Sequence, residues 1–438
     1  MNLGMVGLGY VGIVSAVGFA ELGHTVYCHD IDENKMRLLS RRESPICEMG
    51  LEEKLREDAL FDKIHVETDI YELIKKADVI FIAVGTPSNP DGSANVRYVR
   101  SVVTAIGEAI LRTEGPCEKT IVVKSTVPVG YTDETDEYLR EMIKEKTDAG
   151  VSLAFCPEFL REGTALRDFL HPERVVIGAE EKKTAALVGS IFEKMAGTVP
   201  FVYTNRVSAE IIKYTANTML AAKVALLNEV ADYAETVGGK IEDISEAVGL
   251  DSRIGSKYLK ASLGFGGTCL PKDVKAFSFL SESRGLELPI VQSIFRSNEK
   301  HILRQIGRIC DAAKEQGAKS ILVLGTAFKA DTDDIRDSSA IKIILGLTKR
   351  GFTVTVSDPK ALGNTRSALG DRVQYAEDFY SALSGADLVV IATDWKEYAA
   401  LDVERLKTMK GKIVFDLRNV LDRARLEEIG FIYYGIAR

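Results

Sequence analysis

Histidine is scarce in this chain, with five in 438 residues, and none stands at a spacing that would ligate a metal, so no metal site is expected. The six cysteines (Cys28, Cys47, Cys117, Cys156, Cys269 and Cys310) form no CxxC pair. In a chain of this length such scatter argues against a disulfide framework and for reduced thiols in a cytoplasm. Cys28 and Cys156 fall in apolar, strand-like runs and are expected to be buried. Basic charge is not in excess: 56 Lys and Arg stand against 64 Asp and Glu, a net charge of -8. That balance argues against a nucleic-acid partner, though a few local basic groups and a helix N-terminus suffice for a small anion. No run approaches the roughly 20 apolar residues that cross a bilayer, so no membrane partner is expected. The apolar N-terminus does not read as a leader peptide. It has no basic residue before His24, and Gly4, Gly7, Gly9, Gly12 and Gly18 interrupt it.

What is present is an ordinary globular composition, 46% hydrophobic and 27% charged, long enough for two or three cores. MNLGMVGLGYVG opens as a short apolar strand followed by Gly7, Gly9 and Gly12 in GxGxxG spacing. The first glycine permits a tight turn, the second a close approach of backbone to a pyrophosphate, and the third the packing of helix on strand. A helical stretch and a second strand, TVYCHD, lead to Asp30, which lies 18 residues after Gly12. A carboxylate about 20 residues on suits the ribose hydroxyls and would repel a 2′-phosphate, so NAD is expected as cofactor. Tyr10, Val11 and Lys35 complete this set of cofactor-binding candidates.

ADVIFIAVGTPSNPDG and KTIVVKSTVPVG are two further buried strands, each ending in a turn-rich loop, with Thr86 in the first and Ser125 and Thr126 in the second. Ligands of doubly wound sheets lie at such ends, although either threonine could equally cap its segment. LAFCPEFLREG ends in Pro157, Glu158 and Glu162; the two acids, four apart, would share a face if helical, either as solvated surface or as proton-transfer groups. From Ser208 to Val237 the chain lacks glycine and proline and reads as one long, mostly apolar helix, buried between layers or against a partner subunit. Lys213 and Asn217 stand on one face of it, as an exposed polar edge or as oxyanion donors. Arg253, Tyr258, Lys260 and Ser262, a mixture suited to a phosphate-bearing ligand, then lead to GFGGTCLPKD, Gly264 to Asp273, with Cys269 in a glycine-rich turn.

The C-terminal part repeats the opening: SILVLGTAFK parallels the first strand and loop, RGFTVTVSDPK parallels LGHTVYCHDID, and ADLVVIATDW parallels ADVIFIAVGT. Its first loop lacks GxGxxG and carries Lys329, Asp331, Asp333, Asp334 and Arg336, which suits an anionic ligand other than a second dinucleotide. The expected architecture is α/β, with two doubly wound Rossmann-like domains (1–205 and 315–438) joined by a central helical domain with one long helix (206–314).

GLGYVG, KSTVPVG, PEFLREG, KYTAN, GFGGTCLPKD and GTAFKADTDDIR occur here in the order and spacing of the nucleotide-sugar 6-dehydrogenases. The chain resembles that family over essentially its whole length, the UDP-glucose branch above all. The resemblance implies an NAD-dependent four-electron oxidation of the sugar C6 alcohol to a carboxylate, UDP-glucose to UDP-glucuronate, through a Cys269 thiohemiacetal and thioester. It implies a catalytic set of Cys269, Lys213, Asn217, Asp273, Glu158 and Thr126. Thr86, Thr126, Glu162, Lys272 and Arg336 would meet the cofactor. Glu158, Phe159, Leu160, Lys213, Asn217, Arg253, Tyr258, Leu259, Ser262, Gly266, Phe328, Lys329 and Arg418 would hold the UDP-sugar. A homodimer through the long helix is expected. The competing readings are a GDP-mannose or UDP-N-acetylhexosamine dehydrogenase, a two-electron β-hydroxyacid dehydrogenase, and a non-catalytic NAD-binding protein.

Overall fold

Short apolar runs closed by glycine turns become strands buried on both faces, the usual state of a parallel sheet. The computed structural model describes residues 1–438, which divide into two compact units, Met1–Ala216 and Asn217–Arg438. In the first, strands β1 (Asn2–Val6), β2 (Thr25–His29), β3 (Ile64–Val66), β4 (Val79–Ile82), β5 (Cys117–Val123), β6 (Ala149–Phe155), β7 (Val175–Ala179) and β8 (Phe201–Thr204) lie in the order β3-β2-β1-β4-β5-β6-β7-β8. Every ladder is parallel except β6–β7. Chain direction around the sheet reverses between β1 and β4, so the loops after these strands border the ligand crevice of a doubly wound fold. One face is packed by the helix Tyr10–Glu21, where Phe19 meets Phe81, Phe169 and Phe192 at ring-centroid distances of 4.6, 5.2 and 5.5 Å.

In the second unit, β9 (Ser320–Leu324), β10 (Thr353–Ser357), β11 (Gln374–Tyr375), β12 (Leu388–Ile391), β13 (Ile413–Asp416) and β14 (Ile432–Tyr434) form an all-parallel sheet in the order β11-β10-β9-β12-β13-β14. That order reproduces the first six positions of the N-terminal sheet, so the repeat read from the sequence holds in three dimensions. The long helix, Arg206–Val237, begins two residues before the expected Ser208 and runs from one unit into the other. From Asn217 onward the helical segment and the second sheet share one core. Leu227, Ala231 and Ala234 of the long helix cluster there with Ile302, Ile306 and Ile309 of helix Pro289–Glu315 and with Ile321, Val323 and Ile343. No helix is long and apolar enough to cross a membrane.

Candidate active site

The glycine turn after β1 has the three properties its spacing predicts. Gly7 has φ +97°, a conformation that a side chain would strain. A Cβ on Gly9 would meet nothing within 4 Å, leaving open space at the N-terminus of helix Tyr10–Glu21, where backbone N–H groups favour a phosphate. A Cβ on Gly12 would fall 1.7 Å from the Gly7 carbonyl oxygen, so helix and strand touch there. Asp30, half-buried at the end of β2, accepts from the Leu8 N–H at 2.6 Å and the Asp32 N–H at 2.9 Å, with Lys35 Nζ at 3.4 Å. The fit to a dinucleotide rests on these features: an open N-terminus at Gly9, no room for a side chain at Gly7 or Gly12, and a carboxylate anchored to the same loop. Gly12→Ala is expected to abolish NAD binding in an isothermal titration and to cost about 1–3 kcal/mol or more of stability in denaturant unfolding, as overpacking does.

The loops after β4 and β5 are tied together. Buried Thr86 donates to the Thr126 carbonyl at 2.8 Å, and Ser125 donates to the Val84 carbonyl at 2.7 Å. Thr126 itself is half-buried. After β6, the segment carrying Glu158 and Glu162 is not helical, so the two acids share no helical face. The Glu158 carboxylate turns back to accept the Leu160 N–H at 2.6 Å. Such local side-chain bonding competes with a helix, and Gly163 (φ +83°) redirects the chain before the helix Ala165–Leu170. Glu162 lies half-buried in that turn.

Lys213 is not an exposed edge. Its ammonium is buried and donates to Glu158 Oε1 at 2.8 Å and to the Glu158 carbonyl at 2.7 Å, with the Phe159 ring centroid 5.3 Å away. Burial pushes the Glu158 carboxyl up, but Lys213, the Leu160 N–H and Lys124 together outweigh it and leave the group below the usual carboxylate range. Lys124, directly after β5, is also buried, and no spacing in the sequence marks it as a partner of Glu158. Glu210, one turn before Lys213, is also buried and accepts from the Gly130 and Thr132 N–H groups at 2.6 and 3.0 Å, tying the KSTVPVG loop to the long helix.

In the second unit, Asn217 Nδ2 donates to Asp273 Oδ2 at 2.6 Å and Lys272 Nζ to Asp273 Oδ1 at 2.6 Å. Asn217 and Asp273 are buried, so this aspartate is fixed on both oxygens. Four residues before it, Cys269 is the N-cap of helix Leu270–Ser283, with Pro271 in the first turn. Cys269 is the only exposed cysteine of the six, none of which is in a disulfide. Burial pushes the Cys28 thiol up to about 12 and also raises Cys156 and Cys310. A helix N-terminus favours negative charge, and Cys269 stands at one.

Gly267 (φ +83°) packs so closely that a Cβ would stand 2.8 Å from the Phe328 ring. Arg418 donates to the Phe328 carbonyl at 3.1 Å and to the Ala392 carbonyl at 2.8 Å, and Lys329 Nζ lies 5.7 Å from the Phe328 centroid. Burial lowers Arg418 from its ordinary value, opposed by Asp394 and Asp416. Gly266, Gly267, Phe328, Lys329 and Arg418 thus form one neighbourhood. Ser262 and Leu259 are buried on the approach to the cysteine loop, and Tyr258 sits at φ +64°. Arg253 and Arg336 are instead mostly exposed and paired locally, with Asp251 at 2.6 Å and Asp334 at 2.7 Å. No group of three or more His, Cys, Asp or Glu is arranged to hold a metal ion.

The second sheet keeps the acid after its second strand but uses it differently. Asp358, the counterpart of Asp30, is buried. Its Oδ2 accepts from Thr326 N, Ala327 N and Trp395 Nε1 at 2.7, 3.0 and 3.2 Å, and its Oδ1 from Lys360 N and Ala361 N at 2.9 and 2.7 Å. No lone pair remains for a ribose.

One doubly wound sheet equipped for a dinucleotide and a second that is not are the build of a two-domain NAD-dependent dehydrogenase. Residues 1–196 match the NAD binding domain of the UDP-glucose/GDP-mannose dehydrogenase family, residues 207–300 its central domain and residues 322–423 its UDP binding domain. The chain belongs to that family. A UDP-glucose 6-dehydrogenase of Bacillus subtilis is 37% identical, over all of this chain and 93% of its own, and one of Rickettsia conorii is 38% identical, over all of this chain and 99% of its own. Among solved structures, a UDP-glucose dehydrogenase from Pyrobaculum islandicum superimposes with a TM-score of 0.91 at 40% identity, over all of this chain and 97% of that one. A UDP-D-ManNAc dehydrogenase from Pyrococcus horikoshii gives 0.87 at 26%, over all of this chain and 99% of that one.

Proposed function

We propose that this chain oxidises UDP-glucose to UDP-glucuronate with NAD, by way of a covalent adduct on Cys269. The observation that carries the four-electron reading is Cys269 itself, an exposed thiol at a helix N-terminus on a glycine-rich turn. A two-electron hydroxyacid dehydrogenase has no need of such a group. UDP-glucose is favoured over UDP-N-acetylhexosamines because the UDP-glucose relatives are 34–40% identical, against 26% for the ManNAc enzyme.

Gly7, Gly9, Tyr10, Val11, Gly12, Asp30 and Lys35 would hold NAD, with Thr86, Thr126, Glu162, Lys272 and Arg336 as further contacts. Bound NAD supplies the hydride acceptor for each of the two oxidations. The Cys269 thiolate adds to the C6 aldehyde, forming a C–S bond and a thiohemiacetal oxyanion. Oxidation of that adduct leaves a thioester, which water cleaves to the carboxylate and the free thiol. A thiolate suits both steps, as a strong nucleophile near neutral pH and as a leaving group. Lys213 and Asn217 are assigned to the oxyanions, and Asp273, Glu158 and Thr126 to the water that is deprotonated. Arg253, Tyr258, Leu259, Ser262, Gly266, Phe328, Lys329 and Arg418, with Phe159 and Leu160, are assigned to the UDP-sugar. The segments 1–205, 206–314 and 315–438 are retained as the cofactor, thiol and UDP-binding parts.

The deciding experiment is the NADH yield per UDP-glucose. Two are expected, whereas one would indicate a two-electron enzyme. Turnover with GDP-mannose or a UDP-N-acetylhexosamine in place of UDP-glucose would move the substrate assignment. The chain is also proposed to form a homodimer through the long helix. Met219, Leu226 and Tyr233 recur there every seven residues at 60, 64 and 69% exposure, an apolar stripe that costs free energy in water. Light scattering is expected to return twice the 48.0 kDa chain mass, and a monomer mass would refute the assignment. The six cysteines, none of them in a disulfide, support a cytoplasmic setting.

A further inference from the structure

The segment that delivers Cys269 has no regular structure. Residues 259–269 belong to neither helix nor strand, yet Ala261 to Phe265 are buried. Buried backbone groups need partners, and here side chains supply them. Asn298 accepts from the Phe265 N–H through Oδ1 at 2.9 Å and donates to the Phe265 carbonyl through Nδ2 at 3.0 Å, standing in for a neighbouring strand. Ser339 adds a second bond to that carbonyl at 3.2 Å. One turn further along helix Pro289–Glu315, His301 Nε2 donates to the Ser262 carbonyl, which can only accept, at 3.0 Å. Asp232 Oδ2, 3.0 Å from Nδ1, holds the ring in that orientation. Asn228 of the long helix takes the remaining group, accepting from the Ser262 N–H at 2.9 Å. Asn228, Asn298 and His301 are all buried. The fit is close: Gly264, between the two clamped residues, has φ +123°, and a Cβ there would meet Asn298 Oδ1 at 2.7 Å.

We infer that Asn298 and His301 are positioning residues for Cys269. They fix Ser262 and Phe265, and helix Leu270–Ser283 fixes the chain from the other side. Only Gly266, Gly267 and Thr268 remain between Phe265 and the thiol, and Gly267 is itself pinned against Phe328. The Cys269 sulfur is therefore aimed by a helix that contributes no reacting group. This assignment rests on the reading of Cys269 as the nucleophile.

The test uses the full-length protein and two readouts, steady-state NADH formation from UDP-glucose and the rate of iodoacetamide alkylation at Cys269, followed by mass spectrometry. Asn298→Asp keeps the acceptor for the Phe265 N–H but cannot donate to its carbonyl, and His301→Leu removes the donor to Ser262. Each is expected to lower kcat by roughly 100-fold, as misplacement of a reacting group by about 1 Å does, with KM for UDP-glucose changed less than about 3-fold. Each should change the Cys269 alkylation rate by at least about 3-fold, since thiolate reactivity follows its setting. His301→Gln, whose amide can still donate to Ser262, should recover most of both losses, which a role in stability alone would not predict. Alkylation and kcat within twofold of wild type in both disruptive variants would overturn the inference. If Asn298→Asp fails to fold, the contrast between His301→Leu and His301→Gln decides it. Wild-type protein that makes no NADH from UDP-glucose would refute the proposed reaction, while the alkylation rates would still decide the clamp.

Discussion

Cys269→Ala is expected to lower NADH production from UDP-glucose by on the order of 10⁵-fold, the scale on which removal of a covalent nucleophile acts. NAD affinity should stay within about 3-fold, because the glycine turn and Asp30 belong to a different part of the chain and distant sites behave independently. Stability should change little, since an exposed N-cap thiol that buries little surface contributes little, within about 0.5 kcal/mol. Replacement of any other cysteine removes a thiol that burial or partial burial keeps from reacting. Full four-electron turnover by Cys269→Ala, measured as two NADH per UDP-glucose, would eliminate the covalent route whatever the substrate.

Lys213→Met is expected to have the largest effect on stability. It leaves the buried Glu158 carboxylate without its cation, and breaking one side of a buried pair costs about 3–5 kcal/mol. It also removes a proposed oxyanion donor, worth about 10²–10³-fold in kcat. The double variant Lys213→Met/Glu158→Gln should regain much of the stability, because an amide in place of the carboxylate no longer needs a counter-charge, but none of the activity. The pH dependence has a definite sign. The Glu158 carboxyl is lowered in the folded state, so its contribution is complete above the unfolded-state value near ~4.3 and is lost as pH falls through the lower folded value. Denaturant midpoints between neutral pH and pH 3 should fall less steeply in Glu158→Gln than in wild type. A Lys213→Met variant within about 1 kcal/mol of wild type would show that the pair is solvated.

The parts of this structure legible in the sequence are those whose causes are local. Gly12 is required by its contact with Gly7, and Gly7 by its own φ of +97°, and the second sheet repeats the strand and turn rhythm of the first. The reversal of β7 against β6 was not legible, because strand polarity depends on the path of the intervening chain. The Lys213–Glu158 and Asn217–Asp273 pairs join positions 55 and 56 residues apart, and nothing in their spacing announces a partner. Lys213 and Asn217 therefore read equally well as surface. The spacing of Glu158 and Glu162 was open for a related reason: i, i+4 has meaning only in a helix, and the Leu160 N–H is committed to Glu158. Asn298 and His301 are not legible in the sequence, because a polar side chain that completes another segment's backbone leaves no pattern of its own.

The saturated Asp358 carries a practical consequence for anyone re-engineering this scaffold. Writing a glycine triplet into the loop after β9 would not create a second dinucleotide site, because the acid that should greet the ribose faces inward and secures two loops and an indole. Trp395 and the Thr326–Ala327 turn would have to be released first, and that would dismantle the support beneath Phe328 and Arg418. The two halves share a blueprint, but a single carboxylate turned from receptor to rivet has closed the road back.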